Sequence, residues 1–492
     1  MSLAQRSLRS AGWTTLANLI ALPVTFTQSV LLARLLPVEY FGAFAWATAV
    51  VLLSGAPFEF GLANAFLHRA PESEEEPRAA AVFFTLRLAF MTLWALLLTA
   101  AVWLFFADAL RRLALTVLVG ATYLQSLMYV PRLTLVRRVE HRRPALIDLT
   151  ISLVSAALSL AIAFTTRSIW ALLISAVVGV VVSFAGFYLW QPFWKPRLVW
   201  DPPAMRYFLG FGGKNLLNNL LDTALDNLDN LWTGYALGDR LLGYYSRAFK
   251  FATYPRLLLA NPLNAVVMGT YAEAKYDRRR LSRAFFQTNA FLARSGFLLA
   301  GWLAVIAPEF IRLLIGARWL PMLSAFRLML LFCMLDPIKA SVANVLVAVG
   351  QPEKITRVRL AQLAVLLVGL FALGARFEIA GVALAMDLMA LCGALLALGY
   401  ARAHVDVSLW KLFAAPALAL AAALGLTYAA AAALPPGAAD WLSGALKTLV
   451  FGGVYMLALF ALEGRQLIET GREVWRLLAL REALAGLPGR VE

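Results

Sequence analysis

Three aspartates, Asp222, Asp226 and Asp229, recur at i, i+4 and i+7 in an otherwise apolar stretch, and Asn215, Asn218 and Asn219 continue the same stripe. On a helix this spacing gathers them on one face. Arg247 and Lys250, three apart, share a face of the next apolar stretch. Asp229 and Arg247 each lie nine residues from Gly238, and Asp226 and Lys250 each lie twelve from it. Folding about Gly238 would therefore form two ion pairs and cancel most of the cost of charge in an apolar phase, the structural reading of these four residues. Asp222 falls opposite Tyr254 with no basic residue at its level. It is a candidate for binding a coupling ion, H+ or Na+, as are Glu59 and Asp387, which lack partners nearby in the sequence. Arg87, Arg294, Arg256 and Arg327 also interrupt apolar stretches. A guanidinium is always charged and grips two oxygens of a phosphate, so the four are candidates for holding an anion. Snorkelling to the interface or pairing with a carboxylate is the competing reading of each. Asp336 and Lys339, at i and i+3, can pair with each other. Cys333 and Cys392 lie inside apolar segments and His68, His141 and His404 in or beside polar loops, so neither a catalytic group, a metal site nor a bound cofactor is indicated.

The elements that carry these charges must be membrane spans. The chain is 61% hydrophobic and 15% charged with a mean hydropathy of +0.74, where a soluble protein carries about 25% charged residues. The net charge of +16 is read as basic loops facing anionic headgroups rather than as a nucleic-acid surface. Apolar runs long enough to cross a core of about 30 Å recur about fourteen times. They lie near 10–35, 41–67, 80–106, 113–136, 145–164, 169–190, 208–236, 241–268, 284–307, 321–349, 358–373, 379–400, 412–434 and 441–462. The first is too long for a signal peptide and reads as a retained span. Arg137, Arg138, Arg142 and Arg143, then Lys275, Arg278, Arg279, Arg280 and Arg283, cluster in loops of one side. The positive-inside rule places both termini in the cytoplasm. In the tail, Leu467, Ile468, Val474, Trp475 and Leu478 share a helical face with Arg472, Arg476 and Arg481 interspersed, the pattern of a helix lying on the inner membrane surface.

A shift of 201 residues superposes Gly12 on Gly213, Asn18 on Asn219, Leu36 on Leu237, Gly42 on Gly243 and Ala47 on Ala248. An even number of spans per repeat makes the two halves parallel, and such repeats pack as two bundles about a central cavity. The expected architecture is all-α: a six-helix lobe at 1–206, a second at 207–411, a transmembrane hairpin at 412–462 and a cytoplasmic amphipathic tail at 463–492. The stretches "GWTTLANLIALPVTFTQSVLLARLLPVEYFGAFAWA", "FEFGLANAFLHR" and "LDNLWTGYALGDRLLGYYSRAFKFATYP" resemble Wzx-type oligosaccharide and O-antigen flippases, the polysaccharide-transport branch of the MOP exporter superfamily. The resemblance implies an inner-membrane protein that moves a polyprenyl-pyrophosphate-linked glycan from the cytoplasmic to the periplasmic leaflet by alternating access. Its partners would be that glycan, membrane lipids and the glycan polymerase or ligase machinery. Arg87, Arg294, Arg256 and Arg327 then become candidates for gripping the pyrophosphate or glycan. A peptidoglycan-precursor flippase and a multidrug or cation antiporter of the same superfamily are the alternatives. The antiporter would want an acid-rich first lobe, where this chain offers Glu59. A membrane glycosyltransferase or polymerase would need a catalytic group on a sizeable external loop, and the external loops are short.

Overall fold

The computed structural model describes residues 3–68, 76–190, 192–257, 261–435 and 439–464, and among them there is no strand. The first helices are α1 (Leu3–Leu35), α2 (Val38–Glu59), α3 (Leu62–His68), α4 (Glu76–Phe105), α5 (Ala109–Leu127), α6 (Tyr129–Arg137), α7 (Arg142–Thr165), α8 (Trp170–Phe184) and α9 (Pro202–Ala236). There follow α10 (Gly238–Ala252), α11 (Asn261–Ala274), α12 (Arg278–Phe310), α13 (Leu323–Ala348), α14 (Pro352–Gly369), α15 (Ala375–Ala401), α16 (Leu409–Ala432) and α17 (Asp440–Glu463). Every span expected from hydropathy falls on one of these helices or on a broken pair of them. Among the described residues ten helical stretches are long and apolar enough to cross a membrane, or eleven with the bent pair α5/α6. The longest, Pro352–Ala401, holds both α14 and α15. Between them Leu370–Gly374 is π-helical, and within the first turn of α15 Glu378 leaves helical geometry at φ 50, ψ −134. α9 and the pair α10/α11 fall outside that set, and they are the segments that carry the charged stripes.

The breaks have local causes. Phe60 and Gly61, with φ of 47 and 62, separate α2 from α3. α5 and α6 meet at 45°. Pro131, in the first turn of α6, has no N–H to give the carbonyl of Leu127. The Tyr188 hydroxyl donates to that carbonyl instead, at 2.8 Å.

The chain divides into two compact units, at Gly234/Tyr235. α9, expected to open the second lobe, thus groups with the first. The reason is a backbone-to-backbone approach that only glycine permits. A Cβ on Gly212 would lie 2.4 Å from the carbonyl oxygen of Phe60, and one on Gly61 would lie 2.6 Å from that of Gly212. Met205 and Phe208 of α9 complete a core with Leu62, Phe66, Phe83 and Val130. In the second unit α13 packs against α12 and α15, and the hairpin α16/α17 packs against α12. The amphipathic tail expected at 463–492 lies, beyond Gly464, outside the described residues.

Candidate functional site

In the first unit Arg87 is buried at mid-length of α4, and the two helix breaks supply its surroundings. Its Nη2 reaches Glu59 Oε1 at 3.4 Å, and its Nε donates to the Ser126 carbonyl at 3.2 Å. The guanidinium lies over the Tyr129 ring, 4.1 Å from the centroid. Glu59 is the last residue of α2, and Ser126 and Tyr129 flank the α5/α6 bend. The two partners differ in access, with side chains 5% and 53% exposed for Arg87 and Glu59. Glu59 is therefore a carboxylate open to a cation, loosely held by an arginine behind it. Sequence reasoning paired neither residue.

The second unit treats its arginines differently. Arg294 and Glu463 form a bidentate pair, Nε–Oε2 2.5 Å and Nη2–Oε1 2.7 Å, with both side chains 6% exposed. The expectation that Arg294, like Arg87, would present a guanidinium to an anion is corrected here: the fork is filled by the end of α17. That pair is one rung of a ladder joining α17 to α12. Tyr455 donates to the Arg294 carbonyl at 2.9 Å and Trp302 to Thr448 at 3.0 Å. Lys447 and Ser443 both reach Glu309 Oε1, at 2.6 and 2.8 Å. Arg312 meets Asp440 at 2.9 Å. Between the rungs Gly301 leaves room for Leu420 and Phe451. None of these carboxylates was singled out from the sequence, although Lys447 inside an apolar run is a signal that a buried partner exists.

Asp336 and Lys339 form the expected i, i+3 pair at 2.8 Å, and Arg256 joins them at 2.5 Å from Asp336. Arg256 is thereby also tied to a carboxylate rather than presented to an anion. Arg327 donates from Nε to the Ala304 carbonyl at 3.1 Å and has no carboxylate partner among the described residues. Asp387 is buried on α15, and neither of its carboxylate oxygens has a side-chain donor among the described residues. A cavity of about 20 Å³, room for one water, lies beside Arg256, Ser295 and Cys333. Asp222 and Asp226 are exposed and Asp229 buried on α9, within the first unit. Arg247 is buried and Lys250 exposed on α10, within the second.

Residues 31–324 match the polysaccharide biosynthesis protein family. The teichuronic acid biosynthesis protein TuaB of Bacillus subtilis (strain 168) is 26% identical over 193 residues, 39% of this chain and 40% of that protein. The lipopolysaccharide biosynthesis protein WzxC of Escherichia coli (strain K12) is 20% identical over 358 residues, 71% of each chain. The succinoglycan biosynthesis transport protein ExoT of Rhizobium meliloti (strain 1021) is 25% identical over 335 residues, 64% of each. The aligned region thus spans less than half the length of TuaB and about two thirds of the other two. Among solved structures, the lipid II flippase MurJ in an inward closed conformation superposes with a TM-score of 0.76 at 15% identity, over 93% of this chain and 99% of that one. An inward-facing multidrug resistance MATE family transporter of the MOP superfamily gives 0.59 at 15% identity, over 77% and 94%. The chain is a multi-pass membrane protein with the MOP-superfamily fold, and it belongs to the polysaccharide biosynthesis protein family.

Proposed function

We propose that the chain flips a polyprenyl-pyrophosphate-linked oligosaccharide from the cytoplasmic to the outer leaflet by alternating access, coupled to H+ or Na+. The observation that carries this reading is the family match over residues 31–324, and the fold match supports a flippase, with a TM-score of 0.76 for the lipid II flippase against 0.59 and 0.56 for two multidrug transporter structures. The family match supports a polysaccharide precursor as cargo. A peptidoglycan precursor is the second reading, favoured by the same superposition.

Arg87 is the cationic group we assign to the pyrophosphate, and Arg327 is a separate candidate for the cargo. The 3.4 Å contact from Arg87 to Glu59 is looser than the 2.5 Å contact from Arg294 to Glu463, so an arriving phosphate can replace that carboxylate. Glu59 so released becomes free to take up a proton or a sodium ion, which ties cargo to coupling ion. Asp387, buried on α15, is the second coupling candidate, and the exposed Asp222 the third. Polymerase or ligase machinery would receive the flipped glycan.

The test is transport of a fluorescent polyprenyl-pyrophosphate glycan in proteoliposomes, with lipid II and a cationic dye as competing cargoes. Arg87→Ala and Arg327→Ala should abolish flipping with insertion intact, and Arg87→Lys should retain part of it, because it keeps the charge and loses the fork. Asp387→Asn should flip without responding to an imposed ion gradient. Wild-type rates in both alanine variants would remove the site assignment. Transport of the dye but of neither lipid would remove the flippase reading.

A further inference from the structure

The second unit holds a cavity of about 1060 Å³ that none of the roles above uses. Its walls are the first turns of α12, the connection between α15 and α16, the start of α16 and the end of α17. Two ion pairs brace it: Arg278 meets Asp406 at 2.9 Å on one side, and Arg294 meets Glu463 on the other. Three further cations line it, Arg283, Arg402 and Lys411, and none has a carboxylate partner among the described residues. Among the described residues the lining therefore carries an excess of positive charge. Apolar side chains share the lining, among them Ala414 and Leu462. Trp410 stands at its rim, 79% exposed, at the helix end where tryptophan marks the membrane–water interface.

Cations at an interfacial cavity with an apolar wall and a tryptophan rim match an amphiphile whose head is anionic and whose tail is hydrocarbon. The volume exceeds what a single phosphate ion fills and suits a headgroup with the first part of its chains. We infer that this cavity is a resident site for an anionic phospholipid of the leaflet it faces, with Arg283, Arg402 and Lys411 holding the phosphate. The lipid then bridges the start of α12 and the hairpin α16/α17, and adds to the ladder that binds them. Its face is cytoplasmic if the orientation proposed above holds.

The experiment uses the full chain purified in zwitterionic detergent, with lipid retention read by native mass spectrometry and by thermal shift. The probes are phosphatidylglycerol, phosphatidylcholine and inorganic pyrophosphate. Wild type should retain phosphatidylglycerol over phosphatidylcholine and show a saturable rise in melting temperature with it. Each neutralisation of a cation near the membrane surface weakens such binding by about fivefold. Arg402→Gln and Lys411→Gln should each show that loss, and the triple variant R283Q/R402Q/K411Q a loss on the order of a hundredfold. The variant K275Q/R279Q/R357Q, which removes three basic residues outside the cavity, should bind as wild type does. Unchanged affinity in both single variants overturns the site, as does equal loss in the control variant. Binding of pyrophosphate without phosphatidylglycerol overturns the lipid assignment. Equal retention of the two lipids also overturns it. The readout needs neither transport nor a known orientation, so its failure is distinguishable from failure of the flippase reading.

Discussion

A buried arginine persists in a membrane helix when something answers its charge, and the answers given to Arg87 and Arg294 set their roles apart. Arg294 has a bidentate carboxylate, whereas Arg87 has a carbonyl, a ring face and one oxygen of a half-exposed glutamate. The first arrangement is a fastening and the second can exchange partners. Glu463→Ala should therefore destabilise the protein by about 3–5 kcal/mol, because it strands a buried guanidinium. Arg294→Met combined with Glu463→Leu should be close to neutral, since the desolvation cost of both charges is removed together. Thermal unfolding of Arg294→Met, Glu463→Leu and their double variant in detergent, beside Glu463→Ala, measures this. A double variant equal to the sum of the singles would mean that the pair has no coupling energy. The intramembrane charges were visible in the sequence by type and depth. Apart from the local pair Asp336–Lys339, their partners were not: Arg294 and Glu463 are 169 residues apart, and local spacing carries no information across that distance.

At the scale of elements, the helices follow from apolar runs, and their breaks follow from residues that cannot continue a helix. Pro131 explains the bend between α5 and α6, but the hydroxyl that satisfies the freed carbonyl comes from Tyr188, 61 residues on. The crossing of α9 over the α2/α3 break rests on glycine at two positions. Gly212→Ala puts a methyl group against the Phe60 carbonyl, where no side chain can move aside, and should cost about 1–3 kcal/mol. Gly210→Ala, two residues earlier on the opposite face of α9 with nothing within 4 Å, should instead be neutral or stabilise by up to about 1 kcal/mol through helix propensity. Melting temperatures of the two variants should move in opposite directions or differ in size. Equal destabilisation would remove the close-approach argument. The sequence repeat aligned Gly12 with Gly213 but gave no hint that Gly212 would tie α9 to the first unit, since that contact belongs to a tertiary crossing.

For the whole molecule, the distribution of Lys and Arg expects the α6–α7 and α11–α12 connections on the cytoplasmic side and the α9–α10 turn outside. Single cysteines at Arg142 and Arg279 should be protected from a membrane-impermeant maleimide in intact cells, and one at Asp239 should label. Labelling at Arg279 with protection at Asp239 would invert the orientation, and with it the leaflet assigned to the lipid cavity.

Composition and hydropathy by themselves determined that the chain is a helical membrane protein, where its spans lie and where charge interrupts them. They do so because the bilayer imposes one length and one polarity on every crossing segment. The quoted stretches also carried the family, which the match over residues 31–324 bears out. Tertiary structure alone decided which charges are fastened and which are open, that α9 groups with the first unit, and that the closing hairpin is laddered to α12. The physical reason is common to all three: a buried charge or a glycine shows in the sequence that a close partner is required, while the identity of that partner depends on which distant helix packs against it.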